Sequence, residues 1–275
     1  MMPMGNRIIK DIYEYSITKE FRPKIWSKFV SCLKDNDLLK PHDHLLMLTS
    51  TNKSSLLLAR LFIQLLKHSD FEFDIHFVLF DFGYAKEDLS NAINNFKQLS
   101  IPVEVINVDK KIFETQFNMG SFYLENNIDI TQLNELINKY QINKIVTSHH
   151  YDDVIEFTMM NMLLKGSFYT INPISQISDK ISLIRPMYYI REKDIDNWIN
   201  YHQLNVISTN KYFTQFNDDY EKKNKTKFLI HELKNKYNIQ IEKNIFKATS
   251  NVTLDMIMGY IKNDAYYSYL EDYDK

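Results

Sequence analysis

The chain alternates short runs of apolar residues with longer segments whose apolar residues recur at helical spacing. Strands are predicted at Leu45–Thr49, Phe71–Phe80, Val103–Val108, Lys144–Thr147 and Ile181–Ile184. Helices are predicted around them at 8–34, 54–67, 87–99, 131–140, 152–164 and 191–202. This alternation is typical of an α/β protein with a parallel, doubly wound sheet. Right-handed crossovers bring the carboxyl ends of such strands to one edge, where ligands bind.

The same pattern predicts three parts of the chain. Residues 1–40 form an N-terminal helical segment, residues 41–205 hold the strands, and residues 206–275 form a C-terminal helical extension. Six residues of the first part are expected to face inward: Ile9, Ile12, Tyr13, Trp26, Phe29 and Val30. The extension is rich in lysine, and its last residues are acidic and rich in tyrosine.

Composition excludes several kinds of site. The net charge is −2, so contact with nucleic acid would need a local basic patch. Cys32 is the single cysteine, which excludes an intrachain disulfide and any metal site built from several cysteines of this chain. No apolar run approaches the ~18 residues that span a bilayer, and the N-terminus lacks the apolar stretch of a signal peptide. A cytoplasmic location is therefore expected.

A pair of carboxylates follows the fourth predicted strand, in KIVTSHHYDDVIEFTMMNMLL, residues 144–164. Neighbouring carboxylates at the end of a buried strand repel each other, but they can hold Mg²⁺ or face a phosphate group through it. Asp152 and Asp153 are thus candidate catalytic residues, with Asp152 as the Mg²⁺ ligand. Ser148 and His149 are candidate nucleotide contacts. A plainer alternative makes Asp152 a helix cap and His149 a residue of the sheet rim.

The first predicted strand runs through a turn into a helix, in LLMLTSTNKSSLLLARL. The start of a helix offers free N–H groups and a positive dipole end to an anion. A lysine, four hydroxyl residues and an asparagine could add to an anion site there. The candidate residues are Ser50, Thr51, Asn52, Lys53, Ser54 and Ser55, with Lys53 also a candidate catalytic residue. An ordinary helix capped by a hydroxyl explains the same spacing.

This loop, SHHYDD at 148–153 and IRPMYYIREKDI at 184–195 together resemble the PP-loop ATP pyrophosphatases. The chain is most similar to the tRNA 2-thiocytidine synthetase branch, which carries SGGKDS, GHHRDD and IRPL followed by REKDI. The resemblance runs from about Asp43 to Val252. It implies an adenine-nucleotide α-hydrolase fold with a parallel five-stranded sheet, ATP with Mg²⁺, and a tRNA substrate. In that family, an adenylylated tRNA base is attacked by sulfur.

The chain lacks family residues in two chemical modules, and Ser148 also replaces the glycine of the GHH segment. SGGKDS falls on Ser50–Ser55, so Thr51 and Asn52 replace both glycines, whose role is close approach of the backbone to the phosphates. The two CxxC pairs that would hold an iron–sulfur cluster have no cysteine here. The residues aligned with them lie near Phe122 and Glu125 and near Thr209 and Tyr212, and the arginine pair expected after the first CxxC falls on Asp129 and Ile130. No iron–sulfur cluster is expected on these residues.

Two main hypotheses follow from these residues. The chain is either a tRNA-thiolation enzyme with impaired ATP activation that takes sulfur from another protein, or a non-catalytic relative that binds tRNA, a nucleotide or a partner chain. A third alternative is altered chemistry on another substrate. Contact with tRNA is expected through the lysines of segment 222–236, although a solvated helix is the commoner role of such a segment. In a purely structural alternative, Arg185 and Glu192 pair with each other. A homo-oligomer is a further expectation.

Overall fold

The computed structural model describes residues 11–81, 83–107, 133–206, 218–237 and 240–270. Its main sheet has six strands in the order β3-β2-β1-β4-β6-β5. The strands are β1 His44–Thr49, β2 Asp74–Asp81, β3 Val103–Asn107, β4 Lys144–Val146, β5 Ile174–Ser178 and β6 Ile181–Ile184. The pairs from β3 to β6 are parallel, which confirms the predicted fold class. Strand β5 runs antiparallel to β6 at the edge and was not predicted.

Helices cover both faces of this sheet. They are α1 Ile12–Tyr15, α2 Ser27–Asp35, α3 Lys53–Leu66, α4 Lys86–Gln98, α5 Asn134–Tyr140, α6 Tyr151–Met160, α7 Glu192–Tyr201, α8 Asp218–Tyr237 and α9 Ile241–Ala248. Between α1 and α2, and again after α6, the helical path continues as π-helical turns at Ser16–Glu20, Arg22–Trp26 and Asn161–Lys165. Within the described ranges, no helix combines the length and the apolar character needed to cross a bilayer.

Strand β1 lies at the centre of the core, because its side chains are buried on both faces of the sheet. Leu45 and Met47 belong to a large cluster with residues of α2, α3 and α7. Leu46 and Leu48 belong to a second cluster with residues of α5, β4 and β6. A strand buried on both faces reads as a continuous apolar run, which is why HLLMLT was recognisable.

The N-terminal helical segment packs on the first cluster, as predicted for most of its inward residues. Phe29 is fully buried, and Tyr13, Trp26 and Val30 pack partly buried against the cluster. Ile12 was predicted wrongly: it is 61% exposed, because consecutive helix residues do not face the same way and its neighbour Tyr13 packs on the core. Ile9 lies outside the described residues.

The C-terminal extension contains α8 and α9 but also a hairpin of β7 Gly259–Lys262 and β8 Ala265–Ser268, which was not predicted. Asn263 and Asp264 form the two-residue turn, with φ values of 52° and 61°. Asparagine and aspartate tolerate this left-handed conformation, so the Asn-Asp pair between aromatic residues was a usable hairpin signal.

Candidate functional site

The loop after β1 leads directly into α3. Asn52 is the N-cap of α3, and its side-chain oxygen accepts a hydrogen bond from the Ser55 N–H at 2.8 Å. The first turn of this helix is therefore capped by an amide and not by a hydroxyl. No residue of 50–55 has a positive φ, and Asn52 itself is extended. The loop has thus taken a conformation that does not need the two glycines.

Hydroxyl groups from two loops meet at the carboxyl ends of the neighbouring strands β1 and β4. The Ser50 N–H donates to Ser55 Oγ at 3.1 Å, and the hydroxyl oxygens of these two serines lie 3.0 Å apart. Ser148 Oγ, from the loop after β4, lies 3.4 Å from Ser55 Oγ. Thr51 Oγ1 is buried and has no hydrogen-bond partner among the described residues. The two predicted nucleotide loops therefore come together.

Ser54 and Lys53 belong to the first turn of α3. Ser54 is buried, 7% exposed. The Lys53 ammonium group lies 2.9 Å from Glu192 Oε1 and 2.6 Å from Asp196 Oδ1, both on α7. Burial would lower the pKa of Lys53, but the two carboxylates outweigh it and raise the pKa above its ordinary value. Lys53 is therefore a fixed cation that joins the loop to α7.

Asp152 connects the start of α6 to the start of α7. Arg191 Nε lies 3.0 and 3.2 Å from its two oxygens, and Arg191 Nη2 lies 2.8 Å from Oδ1. The Glu192 N–H donates to Asp152 Oδ2 at 2.6 Å. Asp152 thus satisfies a free N–H at the start of α7 rather than capping its own helix.

Asp153 caps α6 and meets a lysine from α8. Its Oδ2 accepts the His150 N–H at 2.9 Å, and its Oδ1 lies 2.5 Å from Lys223 Nζ. Burial would raise the pKa of Asp153, but its close neighbours His150 and Lys223 hold it well below its usual range. Lys223 also lies 3.4 Å from Glu156, one helical turn further on. Burial raises the pKa of Glu156.

These contacts decide how a magnesium ion fits the carboxylate pair. All four carboxylate oxygens of Asp152 and Asp153 already contact nitrogen atoms of the protein. Among the described residues, no group of three or more histidine, cysteine, aspartate or glutamate residues is placed to hold a metal. In this arrangement the pair does not fit a Mg²⁺ ion. Coordination by Asp152 stays a prediction that requires Arg191 to move.

His149 follows β4 at the edge of the sheet, but its side chain is buried and does not face solvent. It is 9% exposed, and its Nδ1 lies 2.9 Å from Thr147 Oγ1. Burial lowers the pKa of His149 to about 3, so the imidazole is neutral at physiological pH. A neutral histidine beside Ser148 can donate or accept a hydrogen bond, but it brings no charge to a phosphate.

The positions aligned with the iron–sulfur ligands of the family carry no cysteine. Phe122, Glu125, Asp129, Ile130, Thr209 and Tyr212 lie outside the described residues. The single cysteine of the chain, Cys32, is fully buried in α2, with its Sγ 3.6 Å from the Arg185 carbonyl oxygen. Burial raises the pKa of its thiol to about 12. A cluster held by several cysteines of one chain does not fit this donor set.

Arg185 and Glu192 do not pair with each other, as the structural alternative would have them, since each has other partners. Arg185 is buried, and its Nη1 donates to the Asn172 carbonyl at 2.7 Å and to Ser175 Oγ at 2.9 Å. Arg185 therefore ties β6 to the segment that leads into β5. Glu192 pairs instead with Lys53 and Lys227.

The lysine-rich segment 222–236 turns part of its charge toward the protein. Lys223 contacts Asp153, and Lys227 contacts Glu192. Lys234 lies 2.8 Å from Glu242 on α9, and Lys225 lies 2.5 Å from Glu221 on its own helix. Lys223 and Lys227 therefore lie at the edge of the sheet that also holds Asp153 and Glu192. The spacing of the lysines along the sequence did not predict this position.

Three residues of the edge were not candidates from the sequence: Glu156, Arg191 and Asp196. Lys223 and Lys227 were expected to contact tRNA phosphates, and their pairing with carboxylates of this edge was not predicted. Arg191 stood within the REKDI motif, and Glu156 stood one turn after Asp153, so both carried a weak signal. The partners of the lysines come from distant elements, and nothing in the sequence pairs them.

The fold defines an α/β protein of the adenine-nucleotide α-hydrolase type. Residues 23–212 match the PP-loop domain family, and the chain belongs to that family. It is 25% identical over 265 residues to the tRNA-cytidine(32) 2-sulfurtransferase of Paraburkholderia phytofirmans, covering 94% of this chain and 76% of that protein. It is 24% identical over 213 residues to the tRNA-cytidine(32) 2-sulfurtransferase of Bdellovibrio bacteriovorus, covering 76% of this chain and 81% of that protein.

A solved structure supports the fold. The U34-tRNA thiolase NcsA from Methanococcus maripaludis, solved with its [4Fe-4S] cluster, superposes with a TM-score of 0.58. The superposition covers 84% of this chain and 80% of that one, at 15% sequence identity.

Proposed function

We propose that this protein is an ATP-dependent tRNA-modifying protein of the thiolation group, acting on a cytidine and taking sulfur from another protein. The relatives named above support the tRNA substrate and the type of reaction. We also propose that the protein is cytoplasmic. The residues 206–275 act in it as an extension of a nucleotide-binding domain that spans 41–205.

The convergence of Ser50, Ser55 and Ser148 carries this proposal. The Ser55 hydroxyl oxygen lies 3.0 Å from that of Ser50 and 3.4 Å from that of Ser148. The three lie at the start of the 14-residue helix α3, at the edge where the carboxyl ends of the strands meet. Hydroxyls and the free N–H groups of a helix start together bind phosphate oxygens. The unpartnered Thr51 hydroxyl adds a donor that a bound phosphate would satisfy.

The chemistry asked of these residues is binding and orientation. Ser50, Thr51 and Ser55 hold the pyrophosphate of ATP, and Lys53 supplies positive charge nearby. Attack of the cytidine carbonyl oxygen on the α-phosphorus releases pyrophosphate and leaves an adenylylated base. The terminal sulfur of a persulfide on the donor protein attacks the activated carbon of the base and displaces AMP, which forms a disulfide between donor and base. A second thiol of the donor protein then attacks that disulfide, which releases the thiolated base and leaves the donor oxidised to an internal disulfide. The chain itself needs no reactive cysteine for these steps.

A second function, a non-catalytic tRNA- or partner-binding subunit, is favoured by one specific observation. Lys53, Asp152 and Asp153 all bind protein groups of opposite charge. Charged residues that are already paired within the protein can hold the fold together without any ligand, and removing one partner of such a pair destabilises it.

Calorimetric titration with ATP and magnesium, followed by assay of pyrophosphate release with tRNA, separates the two functions. We expect binding, with affinity at least tenfold lower in Ser55→Ala and unchanged in Ser31→Ala, a matched variant on the exposed face of α2. No binding by the wild-type protein would eliminate the enzyme. Binding without pyrophosphate release would favour the subunit. Mass spectrometry of tRNA nucleosides from a deletion strain then identifies the modified base.

A further inference from the structure

Helix α8 reaches the nucleotide edge through two lysines. Lys223 contacts Asp153 at 2.5 Å and Glu156 at 3.4 Å, both on α6. Lys227, one turn later, pairs with Glu192 Oε2 and lies 3.9 Å from Glu156. The C-terminal extension therefore contributes positive charge to a site whose other residues come from the α/β domain.

One carboxylate lies between two ammonium groups at this edge. Glu192 Oε1 contacts Lys53 Nζ at 2.9 Å, and Glu192 Oε2 contacts Lys227 Nζ. Burial would raise the pKa of Glu192, but these two lysines hold it at about 2. An oxyanion bridged by two lysines is also how a protein binds a phosphate group. Glu192 thus occupies the position of an anionic ligand between Lys53 and Lys227.

The two α8 lysines differ in how readily they can change partner. Lys223 is 25% exposed and faces Asp153 and Glu156, of which the side chains are 13% and 6% exposed. Lys227 is 51% exposed, so water can replace its partner at little cost. Lys227 can therefore exchange Glu192 for another anion while Lys223 keeps α8 in place.

We propose that Lys227 is a nucleotide-binding residue, which together with Lys53 binds the polyphosphate of ATP in place of Glu192. This inference rests on the proposed function and adds α8 to its site. A cation from outside the loop compensates for Thr51 and Asn52, which limit the approach of the loop backbone to the phosphates. The C-terminal extension then completes the nucleotide site of the α/β domain.

The full-length protein tests this by calorimetric titration with ATP and magnesium. Lys227→Ala is expected to lower the affinity at least tenfold. The control is Lys225→Ala, which removes the same charge from the same helix but only its pair with Glu221, and it is expected to change affinity less than twofold. Glu192→Gln, which removes the internal competitor, is expected to raise the affinity several-fold, and Glu221→Gln is not.

A measurement on the wild-type protein covers the case in which Lys227→Ala does not fold. Acetylation of lysines, read by mass spectrometry, should show Lys227 protected by ATP and Lys225 unchanged. Equal affinity of folded Lys227→Ala and wild type, or tighter binding by the variant, overturns the inference and leaves the proposed function standing. Loss of tRNA retention with unchanged ATP affinity assigns Lys227 to RNA phosphates and also overturns it. Absence of ATP binding by the wild type overturns both.

Discussion

Arg191 contacts both carboxylate oxygens of Asp152, with Nε at 3.0 and 3.2 Å and Nη2 at 2.8 Å from the nearer one. The pair joins the start of α6, in the DD segment, to the start of α7, in the REKDI segment. Two of the segments that carry the family resemblance are therefore bound to each other. Their side chains position the helices that frame the edge.

Asp152→Ala should lower the free energy of unfolding by about 2 kcal/mol, because it removes charged hydrogen bonds to Arg191 and the acceptor for the first N–H of α7. Urea denaturation measures this change. Asp255→Ala, at an exposed aspartate near the C-terminus, is the control and should change stability by less than about 0.5 kcal/mol. Equal, small effects of both substitutions would show that the pair has no structural role.

His149 should make the protein less stable in mild acid. Burial lowers its pKa to about 3, whereas the unfolded chain takes up the proton near pH 6.5. Stability is therefore complete above about pH 6.5 and falls by up to about 1.4 kcal/mol per pH unit as the pH drops toward 3. Unfolding curves at pH 7 and 5 measure it.

The matched variant for that experiment is His149→Gln, which should lose less stability than the wild type between pH 7 and 5. His202, of which the pKa is lowered to about 4 by burial, and Glu156, of which the pKa is raised, remain in both proteins. The difference between the two proteins thus isolates His149. Parallel pH profiles would contradict the neutral, buried imidazole.

Restoring the glycines should strengthen ATP binding. In Thr51→Gly with Asn52→Gly, the backbone can approach the phosphates, and we expect at least tenfold higher affinity by calorimetry. The same variant should be less stable by about 1–2 kcal/mol, because glycine adds freedom to the unfolded chain and the Asn52 cap is lost. Lower stability without tighter binding would show that the loop no longer serves a nucleotide.

Phe246→Ala should loosen α9 from α6. The Phe246 ring stacks on the Tyr151 ring, with centroids 4.1 Å apart. The Arg191 guanidinium group also lies over the Tyr151 ring, 5.0 Å from its centroid. We expect about 1–3 kcal/mol lower stability and faster hydrogen exchange in α9. Phe228→Ala, at a ring that is 62% exposed on α8, is the control. Unchanged exchange in α9 would contradict this docking.

Sequence periodicity was sufficient to predict a parallel sheet whose strands alternate with helices, because buried strands stand out as apolar runs. It failed at β5 and at the β7–β8 hairpin. ISQIS in β5 has only two apolar residues, and its bulge near Gln176 interrupts the alternation that marks a strand. The hairpin exposes Ile261 and Tyr266, so burial does not produce its pattern either.

The sequence by itself determined that Ser50–Ser55 and Ser148–Asp153 follow buried strands, since apolar runs fix where strands end. This was enough to bring the two loops to one edge. Only the tertiary structure decided that Lys53 faces Glu192, that Arg191 binds Asp152 and that Lys227 of α8 pairs with Glu192. Pairing of charges depends on distances between elements far apart in the chain, and no local spacing records those distances.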